Sequence, residues 1–384
     1  MAARAVIRIL LSLALILALS PARAIETKAR AAIVVDYDTG LVLMEKNADT
    51  PLPPASMSKL MTIYMVFEAL KDGRLRMDEK LPVSKRAMAQ GGSSMFLNTR
   101  DRVSVEDLIR GVVVLSGNDA TVVLAEALAG SEAEFARAMT RRARALGMTN
   151  STFANSNGMP DPQQRMSARD LATLAAALIR DFPEYYSYFG ETEFAFDGRT
   201  PANTRNRNPL LRLGIGADGL KTGYTDEAGY GLVGSAARNG RRVIVMINGL
   251  DSAIDRAREG EMLINWAFRQ FVEKKILDAG QRFGSAEVWL GEEPSVELET
   301  AEDLVHLLPA AAANRLSAEI SLIEPIAAPV KKGQRLGTLR IDIPEMESVE
   351  VPLLASKSVA PAGTVARLKL SATLLGRRLR GLIE

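Results

Sequence analysis

Ser56 and Lys59 stand three residues apart in "PPASMSKLMTIYMVFEAL", residues 53–70, where a proline-broken segment runs into a long apolar helical pattern. That spacing places both side chains on one face of a helix opening at Ser56. A lysine at the mouth of an apolar helix costs free energy unless it is hydrogen-bonded, paired or used. A serine hydroxyl is a poor nucleophile without an adjacent base. Lysine can serve as that base once burial or a neighbouring cation lowers its pKa. The chain has no cysteine and a single histidine, His306. Thiol catalysis is therefore excluded, a zinc site of the usual kind is not expected, and a Ser-His-Asp triad could draw on His306 alone. No cofactor is expected.

Two other polar breaks join this pair. In "LSGND", Ser116-Gly117-Asn118 interrupts two apolar helical runs; in "GLKTGYT", Lys221-Thr222-Gly223 enters a strand pattern. Alone, the first is an ordinary helix connection and the second a tripeptide that chance supplies often. Together they complete a chemistry. Lys221 would add the second positive charge that keeps Lys59 neutral, while Ser116 and Asn118 could relay a proton and hold a substrate amide. A substrate with a free carboxylate would meet Lys221, Thr222 and Arg207, the last in "NRNP".

The elements that must position these residues are legible in outline. "AAIVVDYDTGLVLMEKNAD" predicts a hairpin around Asp38-Thr39-Gly40, and "AGYGLVGSAARNGRRVIVMINGL" predicts another around Asn239-Gly240. Between them lie helices begun by Ser-x-x-Asp or Ser-x-x-Glu capping patterns at Ser104 and Ser131, and a further helix at "SARDLATLAAALIRDF". "AIDRAREGEMLINWAFRQFV" predicts a helix after the second hairpin. The expected class is α/β in the α+β sense: an antiparallel sheet covered by helices, with a helical lobe and Ser56 near their junction. From about Lys274, short strands and turns such as "AEVWLG", "SVELET", "AEISLI", "GTLRIDIP" and "VEVPLLA" predict a small all-β domain.

The ends differ from the body. "MAARAVIRILLSLALILALSPARA" has Arg4 and Arg8, a short apolar run and Ala22-Arg23-Ala24, the pattern of a cleaved signal peptide. The expected organisation is a signal peptide over 1–24, a catalytic domain over 25–273, a β-domain over 274–357 and a basic amphipathic tail over 358–384. In the tail Leu368, Leu375, Leu379 and Leu382 fall near one helix face among Arg367, Arg377, Arg378 and Arg380. It is expected to touch a membrane surface or else to pack on its own β-domain. The protein is expected to be exported, periplasmic and attached by this tail to the inner membrane. A net charge of +2 gives no case for nucleic acid.

The ordered motifs Ser56-x-x-Lys59, Ser116-Gly117-Asn118 and Lys221-Thr222-Gly223 resemble penicillin-binding proteins and serine β-lactamases. Glycine at 117 resembles the low-molecular-mass D-alanyl-D-alanine carboxypeptidases, as do "GGSSMFL", "TFANSNGM", "NRNPLL" and "DGLKTGYTDEAGYGLV". The resemblance spans roughly residues 27–270 and continues more weakly at "PVKKGQRLGTLRIDIP". It implies a β-lactamase/transpeptidase-like fold and removal of the terminal D-alanine from peptidoglycan stem peptides ending in D-Ala-D-Ala. It also implies an acyl-enzyme on Ser56, acylation by β-lactam antibiotics, and an oxyanion held by the backbone N–H groups of Ser56 and Tyr224. Tyr224 departs from relatives with histidine after K-T-G. Three alternatives share the fold: a DD-endopeptidase, a β-lactamase and a non-catalytic peptidoglycan-binding protein. Against the β-lactamase, no acidic residue between 147 and 200 stands in a Glu-x-x-Leu-Asn pattern.

Overall fold

The period-2 apolar runs from the two ends of the catalytic segment meet in one sheet. The structure, a computed structural model, describes residues 25–198 and 203–363, so the signal-peptide segment and all but the start of the tail lie outside the described residues. The chain divides into two compact units, between Ala267 and Phe268.

In the first unit β1 (Ala31–Asp36) and β2 (Val42–Lys46) form the predicted hairpin, with Asp36 Oδ1 accepting from Thr39 N and Oγ1 at the turn. The chain then makes a 3₁₀ turn, Ala55–Ser58, that feeds α1 (Lys59–Lys71). The short β3 (Lys80–Pro82), α2 (Lys85–Met88) and β4 (Arg102–Ser104) lead into α3 (Val105–Val113), α4 (Asn118–Ala129), α5 (Glu132–Ala145) and α6 (Ala168–Asp181). Ser104, Ser131 and Ser167 each accept a backbone N–H three residues on, which at Ser104 and Ser131 is the predicted capping. Then come β5 (Ala217–Thr225), β6 (Gly229–Arg238), β7 (Arg241–Leu250) and α7 (Ala253–Gln270).

The sheet order is β2-β1-β7-β6-β5, antiparallel throughout, with β5 on one edge. Asn239 and Gly240 both take positive φ, 51° and 85°, as a two-residue turn between right-twisted strands requires. Alternation along the strands gives the sheet two apolar faces. Ile33, Val233, Ile244 and Met246 join the core of the helical lobe, while Leu232 meets α7 at Gly260 on the other face. At the centre of the lobe lies α1, where Leu60, Met61, Ile63, Tyr64 and Phe67 are all 1% exposed or less. A helix apolar on all sides must be enclosed, and α1 contacts α4, α5 and α6.

The second unit carries a five-stranded sheet of order β12-β13-β14-β10-β9 and a β11-β8 pair. Its strands are β8 (Phe271–Leu277), β9 (Arg282–Glu287), β10 (Ser295–Glu299), β11 (Leu304–Pro309), β12 (Ser317–Leu322), β13 (Arg335–Asp342) and β14 (Val349–Ala355). Leu298, Leu308, Leu336, Leu339, Ile341 and Leu353 fill its core. Two expectations are corrected here. The helix predicted through Val272 stops at Gln270, because Phe271 and Val272 pair with Pro309 and Leu308. "AEVWLG" is strand only to Glu287.

Candidate active site

Ser56 lies in the 3₁₀ turn before α1, not in the helix itself, and Lys59 is the first α-helical residue. The hydroxyl caps nothing; instead Lys59 Nζ donates to Ser56 Oγ at 2.8 Å and to the Asn157 carbonyl at 2.8 Å. Lys59 is fully buried. Burial above all, then the charges of Lys221 and Arg207, hold its pKa well below the ordinary lysine value, with Asp119 opposing them. A lysine so placed, with its charged form disfavoured, lies within hydrogen-bond reach of the Ser56 hydroxyl.

The Ser116-Gly117-Asn118 break leads from α3 into α4, with Asn118 the first residue of α4. Ser116 has φ 62° and is 2% exposed; among the described residues its Oγ has no hydrogen-bond partner. A buried hydroxyl left open is costly unless something binds there. Asn118 N donates to Ser93 O at 2.7 Å and its Nδ2 to Gly91 O at 2.7 Å, which fastens the break to the loop before residue 97. Ala55, Phe96 and Ser116 all have positive φ without being glycine, and such strain gathers at functional sites.

Lys221, Thr222 and Gly223 lie on the edge strand β5. Gly223 is required by packing: a Cβ there would sit 2.9 Å from Pro54 O and 3.1 Å from Ala55 Cβ, so this strand presses on the Ser56 turn. Lys221 is 4% exposed, and burial, then Arg207 and Arg256, push its pKa down to about 7. Arg207 donates to Ser93 Oγ at 2.7 Å, Leu115 O at 3.3 Å and Asn203 Oδ1 at 3.3 Å, all neutral acceptors. Although its side chain is exposed overall, partial burial lowers its pKa as well. The expected partner Arg207 is thus in the cluster, anchored beside Ser116 and not loose in solvent. Cations that repel one another across a site where Arg207 meets only neutral acceptors create a place for an anion.

Sequence reasoning missed three contributors. Asp119, 1% exposed, accepts from Ser94 Oγ and from the N–H groups of Met95 and Leu97, so it holds the loop that meets Asn118; its only signal was its place after S-G-N. Asn157 belongs to "TFANSNGM" and supplies the carbonyl for Lys59. Arg256 on α7 lies 5.5 Å from the Tyr230 ring centroid and has a pKa lowered by burial; nothing in its local sequence marks it. Tyr224 is half exposed, stacks on Tyr230 and donates its phenol to Asp226 Oδ1 at 2.7 Å, which raises its pKa. His306 lies on β11 of the second unit.

Comparison with known proteins shows the family. A family model described as D-alanyl-D-alanine carboxypeptidase matches residues 18–251, and one for the penicillin-binding protein 5 C-terminal domain matches residues 271–361. The chain is 39% identical over 349 residues to the D-alanyl-D-alanine carboxypeptidase DacC of Escherichia coli, covering 88% of this chain and 86% of the relative. Against DacF of Bacillus subtilis the identity is 33%, covering 89% and 88%. Among solved structures it resembles the carboxypeptidase DacD of Francisella tularensis (TM-score 0.75, 30% identity, 88% of this chain and 95% of that one). It also resembles penicillin binding protein 5 of Haemophilus influenzae (TM-score 0.69, 34% identity, 88% and 98%). With matches of this length falling on a buried Ser-Lys pair, an S-G-N break and a K-T-G edge strand, the chain belongs to the D-alanyl-D-alanine carboxypeptidase family.

Proposed function

We propose that this chain removes the C-terminal D-alanine of peptides ending in D-Ala-D-Ala through an acyl-enzyme on Ser56. The chain is a serine-type DD-carboxypeptidase that also binds β-lactams. The observation that carries the residue assignment is the 2.8 Å bond between Ser56 Oγ and a fully buried lysine of depressed pKa. With Lys59 neutral, the Ser56 hydroxyl donates its proton to Nζ as Oγ attacks the penultimate carbonyl carbon. The oxyanion is received by the N–H groups of Ser56 and Tyr224. Gly223 sets these two segments against each other at van der Waals distance, and β5 being an edge strand supports the second donor. The peptide C–N bond then breaks, the departing amine takes a proton through Ser116, and water hydrolyses the ester.

Asn118 holds the substrate amide, and Lys221, Thr222 and Arg207 receive the terminal carboxylate; the cation cluster supports that assignment. A β-lactam acylates Ser56 the same way, but its amine stays tethered to the acyl group and hinders water, so the ester persists. Export to the periplasm after cleavage of residues 1–24 and attachment by residues 358–384 complete the reading, with 25–273 as catalytic domain and 274–357 as β-domain. Among the described residues no helix is long and apolar enough to cross a membrane.

Ser56→Ala tests the site. It should abolish both the penicillin adduct and D-alanine release with the melting temperature retained. An adduct mapped by mass spectrometry to Ser116 would overturn the assignment.

A further inference from the structure

Glu132, at the start of α5, is a carboxylate 4% exposed that the chemistry above leaves unused. Its Oε1 accepts from Ser156 Oγ at 2.8 Å and from Ser156 N at 3.2 Å. Its Oε2 accepts from Arg86 Nη2 at 2.7 Å and Nε at 3.1 Å. On the other side of the same residue, Thr62 Oγ1 donates to Ser156 O at 2.6 Å. Ser156 is therefore bonded through its amide, hydroxyl and carbonyl, and the next carbonyl along, that of Asn157, is the one that receives Lys59 Nζ. Gly158 closes the arrangement, because at φ 83° its missing Cβ would lie 1.9 Å from Ala55 O, beside Ser56.

We propose that Glu132 is the positioning residue for Lys59: through Ser156 it fixes the Asn157 carbonyl, which aims the lysine amine at Ser56. A neutral amine has one lone pair and two N–H bonds. If one N–H is tied to a fixed carbonyl, rotation about the Cε–Nζ bond is restricted and the lone pair faces the serine hydroxyl. If the carbonyl drifts, that orientation is lost, and a misplacement of a reacting group by ~1 Å is enough to cost much of the rate. The same carbonyl also stabilises the protonated lysine, since bonds to charged donors are stronger than bonds to neutral ones. The groups facing Lys59 from other elements are Lys221 on β5, Arg207 in the preceding loop and Asp119 on α4; Glu132 itself faces Arg86. The inference rests on Lys59 being the base.

The test is the pH profile of the second-order acylation rate of the full chain with a fluorescent penicillin, scaled to penicillin-titratable sites. Glu132→Ala should lower the plateau about ten-fold or more and move the acidic limb to lower pH by about half to one unit. Glu132→Gln keeps an acceptor for Ser156, so it should hold the limb in place and the plateau within about two-fold. Ser156→Ala, a smaller lesion, should shift the limb in the same direction and covers the case in which Glu132→Ala fails to fold. If Glu132→Ala and Ser156→Ala keep the wild-type limb and plateau per titratable site, Glu132 only stabilises the fold and the proposal fails alone. If the wild-type protein shows no acidic limb, the base assignment fails and takes this one with it.

Discussion

Replacing Arg207 by glutamine separates charge from anchoring in the cation cluster. Arg207 lowers the pKa of both Lys59 and Lys221, and its guanidinium is held to Ser93 and Leu115 beside Ser116. Removing that charge should raise the Lys59 pKa toward the ordinary lysine value, with the effect reduced because solvent screens an exposed guanidinium. If Lys59 must be neutral to act as the base, the acidic limb of penicillin acylation should move up in pH. On that limb the rate at a given pH should fall several-fold, at most about ten-fold; on the plateau it should fall only by what Arg207 contributes to holding the carboxylate. The assay is the acylation rate by stopped-flow or quenched labelling across the pH range. A pH-independent loss with the limb unmoved would refute the electrostatic argument and leave Arg207 as an anchor only.

Lys221→Met should inactivate the enzyme yet stabilise it. Lys221 has its pKa lowered from 10.5 to about 7, so keeping it in the fold costs several kcal/mol, at most about 5. The cost is complete below about pH 7. It fades as pH rises toward the unfolded value of 10.5, because across that window the unfolded chain binds the extra proton. The stability gap between variant and wild type in denaturant melts should therefore shrink from neutral to alkaline pH, and a variant less stable at pH 7 would contradict this. His306→Gln should leave the kcat/KM profile for D-alanine release unchanged; loss of an ionisation would sink the lysine-base mechanism. Deleting residues 364–384 should preserve soluble carboxypeptidase activity and release the protein from anionic vesicles in sedimentation, whereas a full-length mature chain that never pellets would favour a tail packed on its own domain.

The parts of the site readable from sequence were those written locally. Ser56 and Lys59 share a helical turn, and Asn239-Gly240 carries the one turn chemistry its hairpin admits. The capping serines Ser104 and Ser131 announced two helices for the same reason. What escaped were groups whose role exists only across distant segments. Glu132 reads as a first-turn acid of α5 until Ser156 meets it, and Arg256 as a polar-face arginine until Tyr230 lies beneath it. The Asn157 acceptor is a backbone atom, to which side-chain identity gives no clue.

The pairing of β1 with β7 has a consequence for how the chain comes to be folded. Ala31 faces Asn248, and Asp36 of β1 receives the buried Arg241 of β7 at 2.6 Å. The sheet therefore cannot close until the whole helical block and β7 are available, and contacts of such long sequence separation form slowly. During synthesis the β1–β2 hairpin waits without its neighbour, and a two-stranded hairpin is marginal in water. A newly made chain has no means of completing its sheet early. Such delayed closure makes any fragment ending before Arg241 a substrate for proteases instead of a smaller enzyme.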